Sequence, residues 1–143
     1  MSTFLNDLRL EEIGSGERSG TWGTATNTNL SIIAEAFSYG TETIGDANTT
    51  ITMADATSDE ARSLYLKITS SANLTTTRVI TLAPSTVSKV WIIENATSGS
   101  QIITIKQGSG ATVDIPNGSV KVIATDGGGT SGAVFDLFTD LDV

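Results

Sequence analysis

The chain has 143 residues, a hydrophobic content of 38% and a formal net charge of −8, with neither cysteine nor histidine. This length fits one domain, or one domain with an attached arm. The missing residue types exclude disulfides, histidine-bound zinc and the Ser-His-Asp and Cys-His catalytic arrangements. Because nucleic acids and anionic membranes attract positive charge, the acidic balance argues against both as partners. No apolar run is long enough to span a bilayer.

The first element predicted along the chain is an extended N-terminal arm that leads into one short helix. Residues 20–30 are rich in Gly, Thr and Asn, and the Thr and Asn side chains compete for backbone hydrogen bonds and disfavour helix. Leu30, Ile33 and Phe37 then follow with the spacing of one helix face. Such a short helix is not stable alone and must pack on another surface. The pattern therefore predicts a docking helix, with Trp22 and this apolar face as the assembly residues.

The rest of the chain is predicted to be a series of short β-strands. Eight runs of strand-forming residues, several with alternating polarity, are separated by strong turn signals. The predicted strands are residues 49–53, 63–69, 78–82, 89–94, 101–106, 111–115, 120–125 and 134–138. Their spacing predicts a mainly β fold, a jelly-roll-like or other antiparallel β-sandwich. The predicted division is an N-terminal arm and helix for docking and oligomerisation in residues 1–48, and a β-sandwich module in residues 49–143.

One predicted strand is apolar on both faces. Its residues 90–93 are Val, Trp, Ile and Ile. Such a strand is either central in its sheet or meets a neighbouring subunit with its outer face. Trp91 therefore joins the predicted assembly and docking residues.

The features that could carry chemistry each have a plainer interpretation. The Gly-rich residues 126–132 lack the Lys and the following helix of a phosphate-binding loop, so a hairpin loop is favoured. Two groups of carboxylates lack the spacing of a Ca²⁺ loop and are interpreted as solvated acidic loops. These groups are Asp55, Asp59 and Glu60, and Asp136, Asp140 and Asp142. The sequence therefore predicts no catalytic residue, no cofactor and no metal.

Residues 20–37 resemble the N-terminal segment of tail-fibre and related virion proteins of tailed bacteriophages, marine phages especially. Later segments are similar as well, namely residues 51–55, 62–64, 79–84, 90–97 and 113–118. The resemblance implies a non-enzymatic structural protein on the outside of the virion, commonly a homotrimer and made in the host cytoplasm. A fibre continues into a long shaft and a receptor-binding tip, whereas this chain ends at Val143. We therefore expect a compact part, either a capsid decoration or cement protein or a short tail or fibre-base component.

Three hypotheses on function follow. The first is this virion protein, whose partners are copies of itself and other phage capsid or tail proteins. The alternative is a carbohydrate-binding β-sandwich module that binds a host-surface glycan. The third is a hydrolase with a pair of carboxylates, as in glycosidases, but the chain has only two Trp and two Tyr with which to line a sugar groove.

Overall fold

The computed structural model describes residues 1–139 and is mainly β, as predicted. Within these residues it has nine β-strands, one α-helix and two short 3₁₀ helices. In chain order, the elements are α1 (Trp22–Glu35), β1 (Tyr39–Ile44), β2 (Thr49–Thr52), a 3₁₀ helix (Glu60–Arg62), β3 (Tyr65–Ser70), β4 (Arg78–Ala83), β5 (Val90–Asn95), β6 (Ile103–Lys106), β7 (Val113–Ile115), β8 (Val120–Thr125), a second 3₁₀ helix (Gly129–Ser131) and β9 (Val134–Asp136).

The strands form two mixed sheets, and the first six strands of the chain are added to the two sheets in turn. One sheet has five strands in the order β1-β3-β5-β8-β9, and the other has four in the order β2-β4-β6-β7. From β1 to β6 the chain alternates between the sheets, and each new strand lies parallel to the strand two places before it. The first six strands therefore form three successive units, β1 with β2, β3 with β4 and β5 with β6, and each unit contributes one strand to each sheet. The last three strands pair antiparallel with their neighbours.

The antiparallel order predicted from the sequence is wrong for the first six strands, and a jelly roll is not confirmed. Four of the seven strand pairings are parallel. A tight hairpin cannot join parallel neighbours, which need a long crossover that is usually a helix. In this chain the crossover between parallel neighbours is a strand of the other sheet. Strand-sized segments with turns between them therefore fit an antiparallel sandwich and this alternation between two sheets equally well.

All eight predicted strands are present, and the ninth strand, β1, was missed. It lies within residues 1–48, which the sequence pattern assigns to the arm and helix. Its residues Thr41, Glu42 and Thr43 lack the apolar alternation that would indicate a strand. Gly40 faces inward in β1, and a Cβ atom there would lie 2.2 Å from side-chain oxygens of Glu60 and Ser63. β1 pairs with β3 over its whole length, so the predicted boundary after residue 48 separates β1 from its partner strand.

Inward-facing aliphatic side chains from both sheets form one hydrophobic core. Alternation along each strand directs every second residue to it, which is the period of a strand. In the strands that have a neighbour on both sides, the core members with no more than 3% exposure are Leu66, Ile68, Ile80, Leu82, Trp91, Ile93, Ile103, Ile105 and Ile123. Each such side chain contributes about 1.5–3 kcal/mol by leaving water.

The helix begins at Trp22 and not at Leu30, so most of the predicted extended arm is helical. Its buried residues Ala25 and Ile32 lie on one face, and this packing outweighs the weak helix preference of Thr and Asn. The Asn29 side chain does not compete for the backbone hydrogen bonds of the helix. Its side-chain amide accepts from the N–H of Glu11 and donates to the carbonyl of Glu11, both at 3.0 Å.

Residues 1–20 lie against the rest of the chain and do not form a free arm. Thr3 and Glu12 form an antiparallel bridge. Asp7 accepts a hydrogen bond of 2.8 Å from the backbone N–H of Ser88, which precedes β5. The N-terminal segment therefore packs on both the helix and the sheets.

Candidate interaction surface

The apolar residues predicted to dock are exposed on α1 and in the turn after it. Trp22, Leu30 and Phe37 are 65%, 60% and 76% exposed. Ile33 is partly buried on the same side. Counted from Trp22, these four residues lie at i, i+8, i+11 and i+15, which places them on one side of a helix. We call Trp22, Leu30, Ile33 and Phe37 the α1 stripe.

The other side of α1 attaches the helix to its own chain. Ala25, Ile32 and Ala36 are buried there. The helix is therefore held without Trp22, Leu30 and Phe37, which leaves these three residues of the α1 stripe accessible to a second molecule.

The structure places Trp91, the fifth predicted docking residue, in the core. It is 3% exposed, and its indole Nε1 donates to the carbonyl oxygen of Ala61 at 2.9 Å. β5 is the central strand of the five-stranded sheet, as one reading of its apolar sequence predicted. The Trp91 side chain contacts residues of its own chain, so it does not belong to the accessible surface.

The structure also contains a fully buried Arg62, which sequence reasoning missed. The side chain is 0% exposed. Its guanidinium donates to the backbone carbonyl oxygens of Leu8, Thr57 and Ala54, the first two at 2.9 and 2.7 Å. Carboxylate oxygens of Asp59 and Glu35 lie 3.3 and 3.7 Å from its Nη1 atom. Because arginine is nearly always exposed, nothing in the sequence signals this position.

Lys89 lies close to this buried charge. Its Nζ atom is 4.6 Å from the centre of the Trp91 ring and donates to the carbonyl of Val90 at 3.1 Å. Burial, together with the positive charge of Arg62, lowers the pKa of the Lys89 ammonium to about 8. The folded chain therefore holds this proton less tightly than the unfolded chain does.

We expect the free energy of unfolding to rise between pH 8 and pH 10 because of Lys89. The unfolded chain keeps the proton up to the ordinary lysine pKa of about 10.4, so it binds more protons than the folded chain in this window. Two pH units allow at most roughly 2.7 kcal/mol, and the partial exposure of Lys89 reduces the expected rise to about 1–2 kcal/mol. Urea unfolding at pH 7, 8, 9 and 10 measures it. The variant Lys89→Met should be more stable at pH 7 and lose this rise, and a rise that is equal in both proteins would contradict the assignment.

Asp55 and Asp59 of the first predicted acidic group have structural partners and are not simply solvated. Asp59 accepts from the backbone N–H groups of Ala54 and Arg62 and caps the first 3₁₀ helix. Asp55 pairs with Arg9 at 2.7 Å. Within residues 1–139 no group of three His, Cys, Asp or Glu residues is placed to hold a metal ion. Asp140 and Asp142 of the second predicted acidic group lie outside the described residues.

The Gly-rich residues 126–132 form the connection between β8 and β9, which pair antiparallel. This confirms the predicted hairpin loop. Oδ1 of Asp126 accepts from the N–H groups of Gly128 and Ala133, both at 2.9 Å. These hydrogen bonds favour the charged carboxylate and lower the pKa of Asp126.

A small cavity of about 250 Å³ lies between α1 and the N-terminal segment. It is lined by Glu11, Arg18, Thr21, Thr24, Ala25, Thr28 and Ala56. Arg18 donates to both carboxylate oxygens of Glu11 at 2.7 and 2.6 Å, and these hydrogen bonds lower the pKa of Glu11. The lining thus includes one ion pair and three hydroxyl groups, and none of it is aromatic.

Within residues 1–139, no helix has both the length and the apolar character that crossing a membrane requires. Comparison of the chain with protein-family models, with curated proteins and with solved structures found no match.

Proposed function

We propose that the chain is a non-enzymatic structural protein of a phage virion, an exterior capsid decoration or cement protein or a short tail or fibre-base component. It docks on another capsid or tail protein through the α1 stripe and associates with copies of itself, for which the resemblance implies a homotrimer. The resemblance of residues 20–37 to phage tail-fibre proteins supports the virion setting, where the chain would be located after synthesis in the host cytoplasm.

The observation that carries this proposal is the unequal burial of the two sides of α1. Ala25 and Ile32 attach the helix to its own chain, whereas Trp22 and Leu30 are exposed. Exposed tryptophan among apolar neighbours is typical of the residues that dominate binding energy at interfaces. Burying the exposed part of Trp22 would contribute roughly 3 kcal/mol before the entropic cost of association.

We expect Trp22→Ala to weaken incorporation into virions while leaving the fold intact. Loss of an interface residue of this kind costs at least about 2 kcal/mol of binding, a roughly 30-fold weaker association. Because the side chain is mostly exposed, the free energy of unfolding should change by no more than about 0.5 kcal/mol. Tagged variants supplied to infected host cells, followed by quantitative detection in purified virions, measure incorporation.

Leu5→Ala is the matched control, because Leu5 is an exposed apolar side chain outside the α1 stripe. It should enter virions as the unchanged chain does. Equal incorporation of the Trp22→Ala and unchanged chains would contradict docking through α1. Absence of the unchanged chain from purified virions would contradict the virion assignment itself.

A second candidate function is carbohydrate binding, which the cavity beside α1 favours. Its volume suits a ligand of about the size of one sugar ring, and its hydroxyl and charged groups can exchange hydrogen bonds with sugar hydroxyls. A glycan array that is probed with the unchanged chain and with Arg18→Ala tests this candidate. Signals that disappear in the variant would support it, whereas an array without signals would count against it.

A further inference from the structure

The outer face of the five-stranded sheet carries apolar side chains in two rows that cross the strands. The strand register places the residues of each row side by side, and Leu137 extends the first row because its N–H donates to the carbonyl of Val122. The first row is Tyr39, Tyr65, Ile92, Val122 and Leu137, and the second is Val90, Ala124 and Phe135. Their neighbours along the strands, such as Leu66, Ile93 and Ile123, face the core. We call these eight residues the outer apolar rows.

The outer apolar rows are accessible, and their area is that of an interface. Four of their side chains, with the adjacent Val120, are between 42% and 60% exposed. Those residues are Tyr39, Val90, Val120, Phe135 and Leu137. With roughly 150–250 Å² for an aromatic side chain and less for an aliphatic one, the face exposes roughly 500 Å² of apolar surface. A standard interface buries about 800 Å² on each partner, of which about 60% is apolar, so its apolar part is also about 500 Å².

The charge of this face fits a second copy of the chain. Among the outward strand positions only Lys67 and Glu94 are charged, and the register places them next to each other. The face is therefore neutral, although the whole chain carries −8. Two such chains repel each other least where neutral surfaces meet. Tyr65 also donates to the Glu94 carboxylate at 2.6 Å, so this charge already has a partner at the edge of the apolar surface.

We propose that the outer apolar rows bind a second copy of this chain, with sheet face against sheet face. The inference rests on the self-association included in the proposed function, and it names a surface for it. Contact of the same face on both copies is two-fold and closes at a dimer, so this surface predicts a dimer where the resemblance implies a homotrimer. Packed sheets lie about 10 Å apart, a distance that side chains of this size fill. Tyr39 and Phe135 lie on the two edge strands, β1 and β9, so they are at opposite ends of this contact surface.

The first test measures the mass of the full chain in solution by light scattering at rising concentration. The variants Tyr39→Glu and Phe135→Glu place a charge in the outer apolar rows and should raise the dissociation constant at least about 30-fold, toward the monomer mass of 14.8 kDa. Thr50→Glu is the matched control, because Thr50 is exposed on the outer side of the four-stranded sheet, away from the outer apolar rows. It should associate as the unchanged chain does. Thermal unfolding of each variant verifies that the fold is kept.

A second measurement detects the contact between two copies directly and does not depend on disrupting it. Because the chain has no cysteine, Val90→Cys and Phe135→Cys each introduce a single thiol. Mild oxidation should then link copies covalently through the outer apolar rows. Thr50→Cys, on the exposed outer side of the four-stranded sheet, should stay unlinked under the same conditions.

The results separate this inference from the proposed function. Association that survives both glutamate variants, without disulfide-linked copies, would overturn the assigned surface and leave self-association standing. A chain that is monomeric at every concentration would overturn both the surface and self-association. Docking on the virion through the α1 stripe is decided separately by the incorporation of Trp22→Ala.

Discussion

Replacing Arg62 with methionine is expected to lower the free energy of unfolding by about 3–5 kcal/mol. Methionine fills much of the volume of arginine, so the loss reports the hydrogen bonds and the charge more than a cavity. Removing the guanidinium leaves three buried carbonyl oxygens without this donor and the Asp59 carboxylate without its cation. Each unpaired buried group costs about 1–3 kcal/mol.

The position of Arg62 explains why the loss should spread beyond one contact. Its partners come from the N-terminal segment, through Leu8, from the connection between β2 and β3, and from α1, through Glu35. One side chain therefore joins the helix and the N-terminal segment to the sheets. In Arg62→Met, backbone amides of α1 should lose protection from hydrogen exchange more than amides of β5 do.

Urea unfolding measures the loss, and Arg9→Met is the matched control. Arg9 forms a single ion pair of 2.7 Å with the exposed Asp55, and such pairs contribute at most about 1 kcal/mol. If Arg62→Met is no more destabilising than Arg9→Met, or if α1 keeps its protection, the proposed role of Arg62 is wrong.

The strands were predictable from the sequence, whereas their pairing was not. Local alternation and turn residues located eight strands, because these signals depend on neighbouring residues. Pairing depends on contacts across more than twenty residues, such as Tyr39 with Tyr65 and Tyr65 with Ile92. A periodic signal does exist, because these partners are 26 and 27 residues apart, and segments that alternate Thr with Ile recur in β2, β4 and β6. Repeats at a fixed period of 20–50 residues are typical of stacked units.

The candidate surface was predicted in part, for a similar reason. Helical spacing identified the apolar side of α1, and that side is exposed. The same pattern could not reveal that Ala25 and Ile32 hold the helix from its other side, because small and β-branched residues among Thr and Asn give a weak amphipathic signal. Of the outer apolar rows, the sequence indicated only the part on β5, for which contact with a neighbouring subunit was one alternative. The rest was missed because the rows arise from four strand pairings, and a single strand contributes only one or two residues to them.

The two tryptophans provide the second large prediction, because the sequence assigns both to docking and the structure separates them. We expect Trp91→Ala to lower the free energy of unfolding by about 3–5 kcal/mol, since the side chain fills the core between β5 and its neighbours. For a domain of this size the melting temperature should fall by roughly 10–15 °C. Trp22→Ala should shift it by less than about 2 °C, because most of that side chain is already in water.

An intermediate variant distinguishes the packing of Trp91 from its hydrogen bond. Trp91→Phe keeps an aromatic ring but leaves the carbonyl oxygen of Ala61 without its donor, so we expect a loss of about 1–3 kcal/mol. Thermal unfolding followed by circular dichroism ranks the three variants. In Trp22→Ala the remaining indole fluorescence belongs to Trp91 and should resist quenching by iodide, whereas the fluorescence of Trp91→Phe should be readily quenched. Similar melting temperatures for Trp91→Ala and Trp22→Ala, or ready quenching of Trp91, would show that β5 does not hold this side chain inside the core.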